Sequence, residues 1–137
     1  MIFVDTSAFY AVLDRDDQVH AAAQSIWSRL LLTAQRSPLI TSNYILVECL
    51  ALLQARLGIS AVRLFHDDVL PMIRLEWISP AEHMAAVQAV MAANRRGLSV
   101  VDCTSFALMR RLGLQQAFCF DGHFVEQGFS PLTSEHA

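Results

Sequence analysis

The sequence predicts an α/β protein, with a central, mainly parallel sheet of four or five strands between two layers of helices. Short apolar runs alternate with longer segments of helical periodicity, an order typical of parallel sheets covered on both faces. Several helical segments begin with a capping residue and stop at glycine or proline, as real helices do. No repeat, low-complexity tract or linker divides the 137 residues. We therefore expect residues 1–137 to form a single three-layer α/β/α sandwich.

The strand predictions rest on short apolar runs. Residues 2–4, 38–41 and 117–120 have the length and composition of buried parallel strands. Residues 73–78, IRLEWI, are more mixed, which favours a strand nearer an edge. The tail GFSPLTSEHA predicts a further short edge strand.

Six helices are predicted between and after these strands. The first four cover about residues 6–13, 17–34, 42–57 and 59–70, and the fourth stops at Pro71. The fifth opens with a capping box, Ser79 and Glu82, and ends at Gly97. The sixth is capped by Ser99 and ends at Gly113.

Composition excludes several classes of protein. Apolar residues make up 54% of the chain and charged residues 17%, so the chain is not disordered. A net charge of −3 argues against a general nucleic-acid binder. No apolar run approaches the ~20 residues of a membrane helix, and MIFVDTSAFY does not resemble a signal peptide. We expect a cytoplasmic protein with no membrane partner, whose apolar surplus is covered by a partner or a second copy.

Four acidic residues are predicted to converge at one edge of the sheet. Asp5 directly follows the first strand and Asp121 directly follows AFCF. Since parallel strands end at the same edge, ligands bind there in such sheets. Glu48 lies about two turns into the helix that begins near Ser42, and Asp102 lies in the first turn of its own helix.

Converging carboxylates need a cation. Two like charges 4 Å apart repel by about 4 kcal/mol at an effective dielectric constant near 20. All-carboxylate ligation suits Mg²⁺ or Mn²⁺, and such sites hydrolyse phosphodiesters with metal assistance. A shared metal would also explain the lone glutamate in NYILVECLALL. Each acid has a simpler explanation as well: Asp5 as a helix cap, Asp102 as half of a capping box, Asp121 as a turn residue and Glu48 as a solvated side chain.

Other residues have weaker indications of function. His123, two residues after Asp121, could contact substrate, but a surface or capping role fits it better. The pairs Arg95–Arg96 and Arg110–Arg111 suit an RNA backbone, although cations at helix ends explain both pairs. The three cysteines show no metal-ligand spacing, so we predict that they are buried.

Three stretches resemble the PIN domain, and within it the toxin nucleases of VapBC toxin–antitoxin pairs. FVDTSAFYAVLDRDD resembles the opening strand and aspartate, SNYILVECLALL the helix with its glutamate, and GLSVVDCTSFALMRRLGLQQAFCFDGHF the closing pair of aspartates. The resemblance implies a PIN-like fold and a Mg²⁺- or Mn²⁺-dependent endoribonuclease. It maps the acidic site onto Asp5, Glu48, Asp102 and Asp121, and a supporting hydroxyl onto Thr6 or Ser7. It also implies a homodimer and an antitoxin that inserts a peptide into the active-site groove and carries the complex to operator DNA.

Two other functions are compatible with the sequence. In a phosphatase of the haloacid-dehalogenase type, the aspartate after the first strand attacks phosphate. Many such enzymes carry a second aspartate two residues later, where this chain has Ser7, and their chemistry usually uses a lysine, which this chain lacks. A non-catalytic PIN-like domain would use the acids only to bind metal or a partner. Such a degenerate domain is expected to have lost one or more acids.

Overall fold

The computed structural model describes residues 1–133 and contains a sheet of five parallel strands. The strand order is β3-β2-β1-β4-β5, so the first strand lies in the middle. The predicted edge position of the IRLEWI strand is confirmed, and the tail supplies the strand at the opposite edge. The last four residues of that tail, 134–137, lie outside the described part of the chain. The strands are β1 Ile2–Val4, β2 Leu39–Ser42, β3 Arg74–Glu76, β4 Gln116–Phe118 and β5 Ser130–Pro131.

Four of the helices begin at capping residues that the sequence suggests. Asp5, Ser42, Ser79 and Ser99 each accept a hydrogen bond from a backbone N–H of the first turn, and the two predicted capping boxes are present. Seven α-helices lie within residues 1–133: α1 Thr6–Leu13, α2 His20–Thr33, α3 Asn43–Leu57, α4 Ile59–Leu64, α5 Pro80–Ala93, α6 Val100–Leu112 and α7 His123–Glu126.

Three helices differ from the prediction. α2 begins at His20 rather than near residue 17, because Asp17 accepts a hydrogen bond from the Val19 N–H and forms a turn. α4 ends at Leu64 and continues as a π-helical turn, Phe65–Val69, and a short 3₁₀ turn around Pro71. α5 ends at Ala93, since Asn94 takes the left-handed conformation, with φ 52°.

Helices cover both faces of the sheet. Crossovers between parallel strands are right-handed, which places α1 to α4 on one face and α5 to α7 on the other. The packing agrees: α1 contacts α2 and α3, α3 contacts α4, and α5 contacts α6. α3 also contacts α6, which belongs to the opposite layer. The predicted three-layer α/β fold is therefore confirmed.

The core is built from the strands and the inward faces of the helices. Phe3, Val4, Ile40 and Phe118 are fully buried in the central strands. An aromatic group formed by Phe106, Phe124 and Phe129 packs with ring centroids 5.1 to 6.4 Å apart and holds α6, α7 and the segment before β5 together. The three cysteines are free and buried, as predicted.

Candidate active site

Asp5 is fixed at the carboxyl end of β1. Its backbone N–H donates to the Phe118 carbonyl at 3.0 Å, which ties it to the end of β4. Its carboxylate oxygen Oδ2 accepts from the Ser7 N–H at 3.1 Å and from the Ser7 hydroxyl at 2.6 Å. The side chain is only 5% exposed, so Asp5 is a buried carboxylate held in one orientation.

The predicted supporting hydroxyl is provided by Ser7. Its Oγ donates to Asp5 and accepts from the Phe120 N–H at 3.0 Å, so one hydroxyl links the segments that follow β1 and β4. The Thr6 hydroxyl is buried and has no hydrogen-bond partner among residues 1–133. Of the two candidates, only Ser7 orients the Asp5 carboxylate.

Asp102 and Asp121 are each held by local hydrogen bonds. Asp102 Oδ2 accepts from the Ser99 N–H at 3.0 Å within the capping box that begins α6. Asp121 Oδ1 accepts from the His123 N–H at 2.8 Å. Both simpler explanations, a capping box for Asp102 and a turn for Asp121, are therefore confirmed. In Asp102 and Asp121, one carboxylate oxygen accepts these hydrogen bonds and the other oxygen has no hydrogen-bond partner in the described chain. Asp5 Oδ1 likewise has no hydrogen-bond partner there.

Charge accumulates among these three aspartates. Burial raises the pKa of Asp5 to about 6; the Ser7 hydrogen bonds oppose this increase, and the charges of Asp102 and Asp121 add to it. Burial also raises the pKa of Asp102 above its ordinary value, and the charge of Asp121 contributes. The structure therefore brings Asp5, Asp102 and Asp121 within electrostatic reach of one another, in a place where the ionised forms of Asp5 and Asp102 are disfavoured.

His123 also lies within this group, although we predicted a surface or capping role for it. One ligand atom from each of Asp102, Asp121 and His123 lies within 4.8 Å of the other two. The imidazole Nε2 lies 2.8 Å from the Gly97 carbonyl oxygen and 3.9 Å from Asp121 Oδ1. Burial lowers the pKa of His123, but Asp121 and the Gly97 carbonyl oppose it, so the net pKa is above the ordinary value. The only sequence signal for this placement is its position two residues after Asp121.

Glu48 lies beside this group rather than within it. It is half-buried on α3 and lines a shallow cavity of about 310 Å³. Its neighbour Cys49 is fully buried, and burial raises the Cys49 pKa to about 12, with contributions from the charges of Glu48 and Asp5. Because α3 begins directly after β2, which is parallel to β1, Glu48 lies beyond the same end of the sheet as Asp5. The cavity is lined by Asn43, Tyr44, Val47, Glu48 and Val101.

Three of the four paired arginines are engaged in contacts. Arg95 donates to both carboxylate oxygens of Glu126, at 2.8 and 3.3 Å. Arg110 and Arg111 lie in the last turn of α6, as the helix-end interpretation predicts. They contact Gln127 and Glu82, respectively.

A larger cavity of about 360 Å³ lies at the amino ends of the strands, beside Ile2 and Gln116, and is lined by no carboxylate.

Comparisons with known proteins show the family and the fold. The sequence profile of the PIN domain matches residues 2–129. The 23S rRNA-specific endonuclease VapC20 of Mycobacterium tuberculosis, from strains CDC 1551 and H37Rv, is 35% identical over 137 residues, covering 98% of this chain and 100% of the relative. The crystal structure of VapC20, described as a sarcin–ricin loop cleaving toxin, has a TM-score of 0.84 at 32% identity and covers 97% of this chain and 99% of that one.

More distant structures share the fold alone. FitAcB from Neisseria gonorrhoeae has a TM-score of 0.69 at 13% identity, covering all of both chains. FitAB bound to an IR36 DNA fragment has a TM-score of 0.71 at 14% identity, covering 100% of this chain and 97% of that one.

The chain belongs to the PIN-domain family. Its full-length similarity to VapC20 extends to both sequence and structure. Within the family it is a VapC-type ribonuclease, the toxin component of a toxin–antitoxin system.

Proposed function

We propose that the protein cleaves RNA with Mg²⁺ or Mn²⁺ held by Asp102, Asp121 and Asp5. One observation carries this proposal: each of the three aspartates uses one oxygen in a hydrogen bond within the protein and keeps the other without a partner among residues 1–133. Partly buried, unpaired carboxylate oxygens at one edge of a sheet are the ligands that hard divalent cations prefer. A bound cation supplies a more acidic water and neutralises charge developing on phosphate.

The residues of this chain have separate roles in the proposal. Asp102 and Asp121 hold the cation, since their ligand atoms lie within 4.8 Å of each other. Asp5 completes the negative site from its buried position, and Ser7 keeps its carboxylate in place through the 2.6 Å hydrogen bond. Glu48 faces the adjoining cavity, where it completes the acidic shell or orients the attacking water. Retention of all four acids favours a catalytic over a degenerate PIN domain.

The RNA proposed as substrate is 23S rRNA. VapC20 is named for that specificity and is similar to this chain along its whole length. The sarcin–ricin loop, which VapC20 is described as cleaving, is the segment to examine first.

The proposed protein partners are a cognate antitoxin and a second copy of the chain. Similarity to FitAB complexes supports the antitoxin, through which the complex would reach operator DNA. Several large apolar side chains are exposed and suit burial in such contacts: Leu32, Val47, Trp77, Met84 and Met91. No helix within residues 1–133 is long and apolar enough to cross a membrane, and we propose a cytoplasmic location.

The test is cleavage of ribosomal RNA by the purified, antitoxin-free protein. Intact ribosomes are incubated with protein and Mg²⁺, with Mn²⁺, or with EDTA, and the 23S rRNA is analysed by primer extension. We expect a discrete cut with either metal and none with EDTA. The matched variants are Asp102→Asn, expected to be inactive, and Asp68→Asn at an exposed position, expected to be active. Equal cleavage by wild type and Asp102→Asn would overturn the proposed site.

A further inference from the structure

His123 connects the two chain segments that carry Asp102 and Asp121. Its backbone N–H donates to Asp121 Oδ1 at 2.8 Å, and its ring Nε2 lies 2.8 Å from the Gly97 carbonyl oxygen. Gly97 precedes Ser99 by two residues, and Ser99 forms the capping box with Asp102. His123 therefore hydrogen-bonds directly to Asp121 through its backbone and, through its side chain, to the loop that positions Asp102.

The hydrogen bond to Gly97 decides which ring nitrogen carries hydrogen. A carbonyl oxygen can only accept, so Nε2 must be the donor. A nitrogen that carries hydrogen has no lone pair for a metal. Proximity to the aspartates thus does not make Nε2 of His123 a ligand. The other nitrogen, Nδ1, is buried and lies 3.6 Å from Glu126 Oε2, without a hydrogen bond in the described chain.

A second contact joins the same two segments. Arg95, two residues before Gly97, donates to both carboxylate oxygens of Glu126, three residues after His123. Both partners are half-exposed, at 49% each, so this ion pair contributes little to overall stability. Like the His123–Gly97 hydrogen bond, however, this ion pair joins the loop before α6 to helix α7, and it limits the movement of one relative to the other.

We propose that His123 is a positioning residue that sets the separation of Asp102 and Asp121, and that it is not a metal ligand. The inference rests on the proposed metal-dependent function. Mg²⁺ tolerates little departure from octahedral geometry, so a fixed distance between two carboxylates affects its affinity. Removing a residue that orients ligands typically costs 10- to 100-fold in metal affinity or activity.

The first test observes the ring nitrogens of His123 directly. ¹⁵N-labelled protein at pH 8.5 is titrated with Mg²⁺, and the imidazole is followed by long-range ¹H–¹⁵N NMR. We expect the Nε2–H tautomer with and without Mg²⁺. Loss of the Nε2 hydrogen when Mg²⁺ binds would show that the ring is a ligand and would overturn the inference.

The second test compares variants by their metal affinity, without RNA. The affinity for Mn²⁺ is measured by EPR, and those for Mg²⁺ and Co²⁺ by competition with Mn²⁺. We expect His123→Ala to weaken all three by about 10- to 100-fold. His123→Gln should recover much of the loss, since its amide can donate where Nε2 does. His66→Ala, at an exposed histidine that pairs with Asp67, is the matched control and should bind like wild type.

The outcomes separate the two proposals. Loss of an imidazole ligand would weaken Co²⁺ binding far more than Mg²⁺ binding, because nitrogen ligands favour Co²⁺, and that pattern would overturn the positioning role. Unchanged affinity in His123→Ala would also overturn it and leave the proposed nuclease site intact. Wild-type protein that binds none of the three metals would instead overturn the proposed function. If circular dichroism shows that His123→Ala is unfolded, His123→Gln and the NMR titration still decide.

Discussion

Asp5→Asn is expected to stabilise the metal-free protein while it abolishes cleavage. Burial raises the pKa of Asp5 from 3.8 to about 6. A pKa difference of one unit corresponds to about 1.36 kcal/mol, so an ionised Asp5 costs the folded state about 3 kcal/mol at neutral pH. Asparagine is an equally good helix cap and carries no charge. After allowance for a weaker hydrogen bond from Ser7, we expect a net gain of ~1–3 kcal/mol at pH 7.5.

The sign of the pH dependence follows from the direction of the shift. Because the folded state holds the Asp5 proton more tightly than the unfolded chain does, this group stabilises the fold most at low pH. That contribution is lost as the pH rises from about 4 through about 6. The stability difference between Asp5→Asn and wild type should therefore be small near pH 4, grow up to about pH 6 and then remain constant.

The assay is urea unfolding in EDTA at a series of pH values from 4 to 8, followed by circular dichroism. Asp16→Asn makes the same chemical change at an exposed site and should show no such trend. Addition of Mg²⁺ should stabilise wild type, by mass action, more than it stabilises Asp5→Asn. A variant that is less stable than wild type at pH 7.5 in EDTA, or a difference that does not vary with pH, would refute the reasoning.

Three further predictions concern the same site. Asp121→Asn should slow RNA cleavage by ~100-fold or more while its circular dichroism spectrum stays unchanged, because it removes a charged ligand of the proposed metal; wild-type rates measured on gels would contradict this. At a subsaturating Mg²⁺ concentration, single-turnover cleavage should rise with pH through about 6, since protons compete with the metal for Asp5; a flat profile from pH 5 to 8 would contradict this. Ser7→Ala removes the donor to Asp5 and the acceptor for Phe120. It should lower the free energy of unfolding by ~1–3 kcal/mol. Because the Ser7 hydrogen bonds lower the pKa of Asp5, the variant should also show the rise in cleavage at higher pH. A rise at the same pH as in wild type would contradict the role of Ser7.

The sequence predicts most of this fold because its local signals agree with its tertiary structure. β1 and α1 have the predicted bounds, since an apolar run, an aspartate cap and a helical segment follow one another directly. The prediction was wrong where different helix types share one pattern: the π-helical turn Phe65–Val69 has the same spacing of apolar residues as an α-helix. α7 was not predicted, because four residues are too few to show a period.

The candidate site was predicted in part for a similar reason. Position after a strand identified Asp5 and Asp121, and the rule that parallel strands end at one edge placed them together. Asp102 and Glu48 were placed at the same end of the sheet from their positions in their helices, but Glu48 lies beside the other acids in a way that helix position alone does not specify. The contact between His123 and Gly97 joins residues 26 positions apart, and no local pattern encodes it.

The hydrogen bond between Ser7 and Phe120 spans 113 positions of the chain, and this has a consequence for biosynthesis. A nascent chain leaves the ribosome with Asp5 already made, but β1 lacks its neighbour β4 until translation has reached Phe118. Asp121 follows later still. The acidic group of Asp5, Asp102 and Asp121 thus cannot assemble until Asp121 has been translated, and a ribosome that has not reached this residue carries only part of it.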